Sequence, residues 1–524
     1  MDFSSLLGTL ARSSAQAVST LARASEEIEQ FKEYLYVETE IEKCFVDILD
    51  STINNQQIIF LCGSSGDGKS QLLRRHYDVY KHKFCIHLDA THSFKPDQDA
   101  IQALDLLFDS HRSTSKPLIV GINIGMLLNF RGNGAEQHED IKQAISRFVD
   151  GERNFDQFNF LSFEDYPKFS LDEGNVGSEF ISELLTKVTV NHPDNALFTA
   201  YQSDQSPETS LARHNYRLLQ QPAIQQLIIQ TLLQARLKFD QLFSTRALLD
   251  FVHHLIAGGQ VLFDNLFASP KSGLASILVN LDPCLIRTQK LDEFVVQQSL
   301  GIQNEEFKAF KASYAKQFGP EELTAPTWVR AFYLLQQVDI GNNYHRHFND
   351  SFRQDRFDDY VHLWQLHRTT SDRRQLRDFY DKHLIAALLK FANRLAPKTV
   401  GDGIYLAERN SIILSAKVRI SMDSKALSAA NNNKKIQSFN AALKVGERPI
   451  SPFPVTISFL ELVQRILAGY RPNRHDKNTV VIFEEVIEEI IRLASQSKEI
   501  RFHKAKKQWS LRLEDGEFLV EDEA

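Results

Sequence analysis

Lys69 and Ser70 follow directly on Gly63-Ser64-Ser65-Gly66-Asp67-Gly68, and these eight residues fill all four fixed positions of the pattern G-x-x-x-x-G-K-[ST]. The chemistry of such a stretch is the gripping of a triphosphate. Successive main-chain N–H groups converge on phosphate oxygens, the Lys69 ammonium offsets β- and γ-phosphate charge, and the Ser70 hydroxyl supplies an oxygen to Mg²⁺. A helix starting at this point turns the positive end of its dipole on the anion. On this reading, side chains at 63, 66 or 68 would obstruct the phosphates or forbid a positive φ. Gly63 to Gln71 are therefore expected to line a site for ATP and Mg²⁺.

Hydrolysis asks for more: a carboxylate at a strand end for the metal, and often a second to orient water. Asp89 closes the apolar stretch "KFCIHLD" and is the first candidate for Mg²⁺, although it sits on the second strand by sequence, one strand early. The next strand ends "VGINIG", which offers Asn123 where a carboxylate is expected, in the manner of a polar sensor of γ-phosphate. Glu164 and Asp165 end the strand after that and stay open as alternatives, as does a degenerate or externally completed site. Arg246, in "STRALLDF", starts a helix and has the permanent charge and forked donors suited to a γ-phosphate sensor in a lid; an arginine that caps nothing is the competing reading. His87, Asp89 and His92 lie close enough in sequence to suggest a metal cluster, but polar residues at the edge of a sheet explain them better, and His253-His254 and 345–347 lack a convincing further ligand.

These residues need a frame. "QQIIFLC" reads as a buried strand and "SQLLRRHYDVY" as a helix; strand 83–89, helix 98–111, strand 117–124 and strand 158–165 follow. Alternating strands and helices imply a parallel, doubly wound α/β sheet. Residues 210–258 read as helices, a lid in the layout of AAA+ type ATPases. From 260 to about 395 the chain reads as helices whose aromatics recur at core spacing. After Pro397 it reads as a small α+β module, with strands in 403–423 and "PFPVTISF", a helix in "NTVVIFEEVIEEIIRLASQ" and a closing β-hairpin. The expected segments are 1–50 N-terminal helical, 51–205 P-loop NTPase core, 206–260 helical lid, 261–396 helical domain and 397–524 C-terminal α+β domain.

With 524 residues, 43% apolar and 24% charged, the chain has the composition of a soluble multidomain protein. Its net charge of -7 argues against autonomous nucleic-acid binding, so any DNA contact is expected to be local or shared; the runs 368–377, 434–435, 471–477 and 504–507 are its candidates, with solvated surface the commoner reading of such runs. Cys44, Cys62, Cys85 and Cys284 show no zinc or disulfide spacing, and no signal peptide or bilayer-spanning stretch is visible, so a cytoplasmic location is expected. No nuclease motif stands out.

The segments "YLYVETEIEK", "IIFLCGSSGDGKS", "HLDATHSF", "LIVGINIGMLLNF" and "FEDYPKF", in this order, resemble the DptF (DndF) family, the ATPase component of bacterial DNA-phosphorothioation-dependent restriction. The resemblance covers the first 170 residues well and the remainder in length and layout. It implies a partner of other restriction subunits in a complex that spares phosphorothioate-marked self DNA and damages unmarked DNA, and the leading expectation is an ATP-driven motor or switch subunit of that complex. Gly63 to Ser70 carry over as the nucleotide loop. A nucleotide-binding scaffold with little hydrolysis and an unrelated P-loop regulator are the alternatives, and self-association stays open.

Overall fold

The computed structural model describes residues 2–11, 26–52, 56–64, 67–88, 99–153, 155, 157–204, 210–271, 273–319, 322–353, 355–396, 400, 403–431, 435–473, 476–497, 499–504, 507–514 and 517–523. The chain packs as two compact units. One comprises Met1–Ser170, Gly177–Ala235 and Gln241–Arg353, and the other Leu171–Val176, Arg236–Asp240 and Gln354–Ala524. The boundary expected at 260 falls within the first unit and that at 396 within the second.

The apolar run before the glycines forms β1 (Ile58–Gly63), buried along its whole length. A strand apolar at every position must be covered on both faces, and this one is. Ile58, Phe60 and Cys62 enter one core with Leu118, Val120, Ile122 and Phe160, while Ile59 and Leu61 enter another with Ile119 and Leu161. Three more strands, β2 (Cys85–His87), β3 (Leu118–Asn123) and β4 (Phe158–Ser162), complete a parallel sheet in the order β2-β3-β1-β4.

The helices of this part are, in chain order, α1 (Phe3–Leu10), α2 (Glu26–Tyr34), α3 (Glu40–Ser51), α4 (Lys69–Tyr80), α5 (Ala100–Arg112), α6 (Ile124–Asn133), α7 (Glu139–Val149), α8 (Glu179–Thr189), α9 (Ala196–Ser203), α10 (Leu211–Leu219), α11 (Pro222–Phe239) and α12 (Thr245–Ala257). Ile41, Phe45 and Leu49 of α3 and Leu72 and Leu73 of α4 cover one face of the sheet. Leu104 and Phe108 of α5, Phe130 of α6 and Ile145 and Phe148 of α7 cover the other. The architecture is thus α/β, with helices on both faces of a parallel sheet. Consecutive strands leave β1 toward β2 and β3 toward β4, in opposite directions and by helices on opposite faces. That arrangement opens a crevice beyond the carboxyl ends of β1 and β3.

The expected strands are shortened. Ser162 accepts the N–H of Glu164 (3.3 Å), so the chain turns into a 3₁₀ segment at Phe163–Asp165 instead of continuing as strand to 165. Asn123 ends β3 and caps a helix over 124–133 that the sequence reading left unassigned. A short hairpin, β5 (Ser170–Asp172) and β6 (Asn175–Gly177), comes next in the chain. Farther on, Phe307, Phe310, Trp328, Phe332 and Phe348 are buried against one another, Phe332 and Phe348 stacked with centroids 4.7 Å apart. These aromatics are core, as their helical spacing implies.

The second unit is rich in antiparallel strands: β7 (Ile404–Arg409), β8 (Ile412–Ala416), β9 (Ile420–Met422), β10 (Phe439–Ala441), β11 (Leu443–Val445), β12 (Arg448–Pro449), β13 (Phe453–Val455), β14 (Glu499–Lys504), β15 (Lys507–Glu514) and β16 (Glu517–Glu523). Its largest sheet runs β16-β15-β14-β8-β7. The closing segment is therefore a three-stranded meander added to an earlier hairpin, and not a hairpin alone. "PFPVTISF" is strand only to Val455, because Thr456 accepts the Phe459 N–H (3.1 Å) and starts a helix over Ile457–Leu467. No helix among the described residues is long and apolar enough to cross a membrane.

One buried histidine in this unit makes stability depend on pH. His367 stacks on Phe439 with ring centroids 4.0 Å apart, donates from Nδ1 to the Leu363 carbonyl (2.7 Å) and accepts at Nε2 from the Tyr380 hydroxyl (3.3 Å), which in turn accepts the Ala442 N–H (3.1 Å). This network satisfies the neutral ring, and burial, which disfavours the charged form, pushes the His367 pKa down to about 4. Between the unfolded value near 6.5 and the folded one, the unfolded chain binds the proton that the folded chain refuses, so stability falls as pH drops through that window. Denaturant unfolding at pH 7 and pH 4.5 should show a loss approaching about 3 kcal/mol from this residue, and His367→Leu should flatten the slope.

Candidate functional site

The chain leaves β1 at Gly63 and enters α4 at Lys69, so the glycine-rich stretch is the turn at the carboxyl edge of the central strands. Gly68 caps α4 with φ of 104°, a left-handed conformation that only glycine adopts at little cost, and it offers no side-chain acceptor to the first turn. The first turn of α4 therefore receives no side-chain cap from the residue that starts it. Lys69 folds back over the turn, and its Nζ donates to the carbonyls of Gly63 (3.1 Å) and Ser64 (2.6 Å). Ser70 and Gln71 lie in the same first turn. Ser65 and Gly66 lie outside the described residues.

Glycine at 63 has a different cause from the one expected. A Cβ there would meet the Asp67 carboxylate at 2.8 Å and the Phe163 side chain at 3.2 Å, so the space is taken by the protein itself and not reserved for phosphate. At Gly68 nothing lies within 4 Å of the added Cβ, and the positive φ alone demands glycine.

The neighbouring strands bring three of the other candidates to this edge. Asn123 is the register partner of Gly63. Its Oδ1 accepts the Met126 N–H (2.6 Å) as the cap of α6, which leaves the Nδ2 end of the amide as the one able to donate to a phosphate oxygen. On the other side, Ser162 is the partner of Cys62, and Glu164 and Asp165 follow within three residues. Asp165 accepts two hydrogen bonds from Arg153, at 2.6 and 3.1 Å, and is committed to that pair; Glu164 lies beside it. The buried Cys62 thiol registers this ring of charge. Burial pushes its pKa up, Lys69 and Arg153 draw it back, and Asp165 and Glu164 push it farther, so it stays a neutral thiol.

No family model matches the chain, and no curated protein matches its sequence.

Asp89 lies outside the described residues, but the strand that leads to it is placed. β2 is separated from β1 by β3, with His87 opposite Val120 and Gly121 so close to Leu88 that an added Cβ would meet the Leu88 carbonyl at 2.7 Å. The second strand by sequence is thus the outer one in space, about 10 Å from β1 at the usual strand spacing.

Arg246 is not a free lid arginine. Ser244 caps α12 by accepting the Ala247 N–H (3.1 Å), and Arg246 in its first turn donates to the Ala11 carbonyl (2.6 Å) just past α1, which packs against α9 and α12. It satisfies a helix end 235 residues away, a role with no local signal in the sequence. Among the described residues no group of three or more His, Cys, Asp or Glu is placed to hold a metal ion. His254 donates from Nε2 to the Asn265 carbonyl (3.0 Å), and burial pushes the pKa of His345 down to about 4, so both are accounted for by packing.

Proposed function

We propose that the crevice beyond β1 and β3 is a P-loop site for ATP with Mg²⁺. We propose further that the chain is an ATP-hydrolysing subunit of a phosphorothioation-dependent DNA restriction complex, acting as motor or switch on unmarked DNA. The observation that carries the nucleotide reading is the turn from Gly63 to Ser70: a central strand, a glycine-capped helix start and a lysine closed over the turn, set at the topological switch point. Residues 66–71 supply main-chain N–H donors, Lys69 a compact ammonium for β- and γ-phosphate, and Ser70 a hydroxyl for the metal. Mg²⁺ would add Lewis-acid neutralisation of phosphate charge. Asn123 is assigned to contact with γ-phosphate, and Asp89 to the metal or its water.

A second reading has its own support. β3 ends in an amide, and Asp165 is tied to Arg153, so a scaffold that binds ATP and turns it over slowly fits the described residues as well. Steady-state ATPase assays of the full chain, alone and with DNA and neighbouring restriction subunits, separate the two. Turnover stimulated by either supports the motor, and flat turnover near background supports the scaffold. The restriction assignment rests on the resemblance of the first 170 residues, and phosphorothioation or restriction genes next to this one are its direct check.

A further inference from the structure

Ser64 is held from two directions. Its N–H donates to Asp67 Oδ2 at 2.5 Å, and its carbonyl accepts the Lys69 Nζ at 2.6 Å and, more weakly, the Asp67 N–H at 3.4 Å. The carboxylate fills the space left by Gly63, packed where a Cβ of that residue would lie 2.8 Å away. An acidic side chain inside a loop meant for a triphosphate is costly unless it does something there, since like charges at short range repel. Its position states what it does: it points at a main-chain donor on the strand side of the turn and spans the loop from residue 67 to residue 64.

We propose that Asp67 is a positioning residue that braces the phosphate loop by an acceptor bond across it, and that Gly63 is present to seat its carboxylate. The inference rests on the nucleotide reading for its effect on ATP, but the brace itself exists in the free protein. A loop already closed loses less conformational freedom when the phosphates arrive, and that saving appears as affinity. What the brace needs is an oxygen at this place, not a charge. Asparagine keeps the acceptor and alanine removes it.

The experiment compares wild type, Asp67→Ala, Asp67→Asn, Gly63→Ala and the double variant Gly63→Ala/Asp67→Ala in the full chain. It uses equilibrium binding of labelled ATP with Mg²⁺ and hydrogen exchange of the Ser64 amide in nucleotide-free protein. Asp67→Ala is expected to weaken ATP binding about tenfold and to speed Ser64 exchange by a similar factor, as loss of a charge-assisted bond predicts. Asp67→Asn should stay within about threefold of wild type in both, because a neutral acceptor makes a weaker bond of the same geometry. Gly63→Ala should behave like Asp67→Ala, and the double variant little worse than either, because both changes break one bond. Unchanged Ser64 exchange in Asp67→Ala overturns the brace. ATP binding by Asp67→Asn more than about threefold tighter than wild type also overturns it, since the carboxylate would then act by repulsion. Failure of wild type to take up ATP sinks the nucleotide reading, while the exchange data still decide the brace.

Discussion

Lys69→Ala should lower the affinity for ATP with Mg²⁺ by at least about 100-fold, close to 3 kcal/mol, while leaving the fold intact. Two losses combine. The ammonium that meets the phosphates disappears, and so do its bonds to the Gly63 and Ser64 carbonyls, which close the turn in the free protein. Hydrogen bonds from a charged group contribute about 1.5 to 3 kcal/mol each when a partner is lost, so either loss alone approaches the expected size. Lys69→Arg should rescue poorly, because a rigid fork does not reach two carbonyls and a phosphate as a flexible ammonium does. The fold should survive because the cores on both faces of the sheet contain no part of Lys69. Equilibrium dialysis with labelled ATP reads the affinity and denaturant unfolding reads the stability.

Asp89→Ala should bind ATP within a few-fold of wild type and lose turnover by about 100-fold or more, the range seen when a positioned acid, base or metal-orienting group is removed. The sheet order carries this expectation. With β3 between β1 and β2, the strand that runs toward Asp89 lies about two strand spacings from β1, and Mg²⁺, which keeps several of its waters, tolerates a partner that acts through one of them. Glu164→Gln is the companion measurement. If Asp89→Ala turns over ATP like wild type while Glu164→Gln does not, the metal or water is managed from the β4 side, next to the Arg153–Asp165 pair. Turnover retained in both variants would assign the metal or its water to neither carboxylate and leave the site to be completed from elsewhere.

The elements around the site were legible where their signals are local. A run of apolar residues, three glycines within six positions and a helix-forming stretch announce strand, turn and helix without help from elsewhere in the chain. Ser244 before its helix was legible for the same reason. Asn123 carried a signal of the same kind, since asparagine is a preferred first cap, but its place at the end of an apolar strand hid the helix that it starts. What could not be read is what depends on pairing over distance. The order β2-β3-β1-β4 decides whether Asp89 is misplaced or well placed, and no local pattern encodes it. Arg246 is spoken for by a carbonyl at Ala11, and Asp165 by Arg153, contacts set by packing. The reason for Gly63 was misread because a missing side chain leaves space, and the sequence does not say which group fills it.

The most direct measurement is the stoichiometry of labelled ATP bound to the purified full-length chain in the presence of Mg²⁺, alone and with its complex assembled. The account predicts saturation at one nucleotide per chain, abolished by Lys69→Ala. Absence of saturable uptake in both preparations, or uptake that Lys69→Ala leaves unchanged, would contradict it.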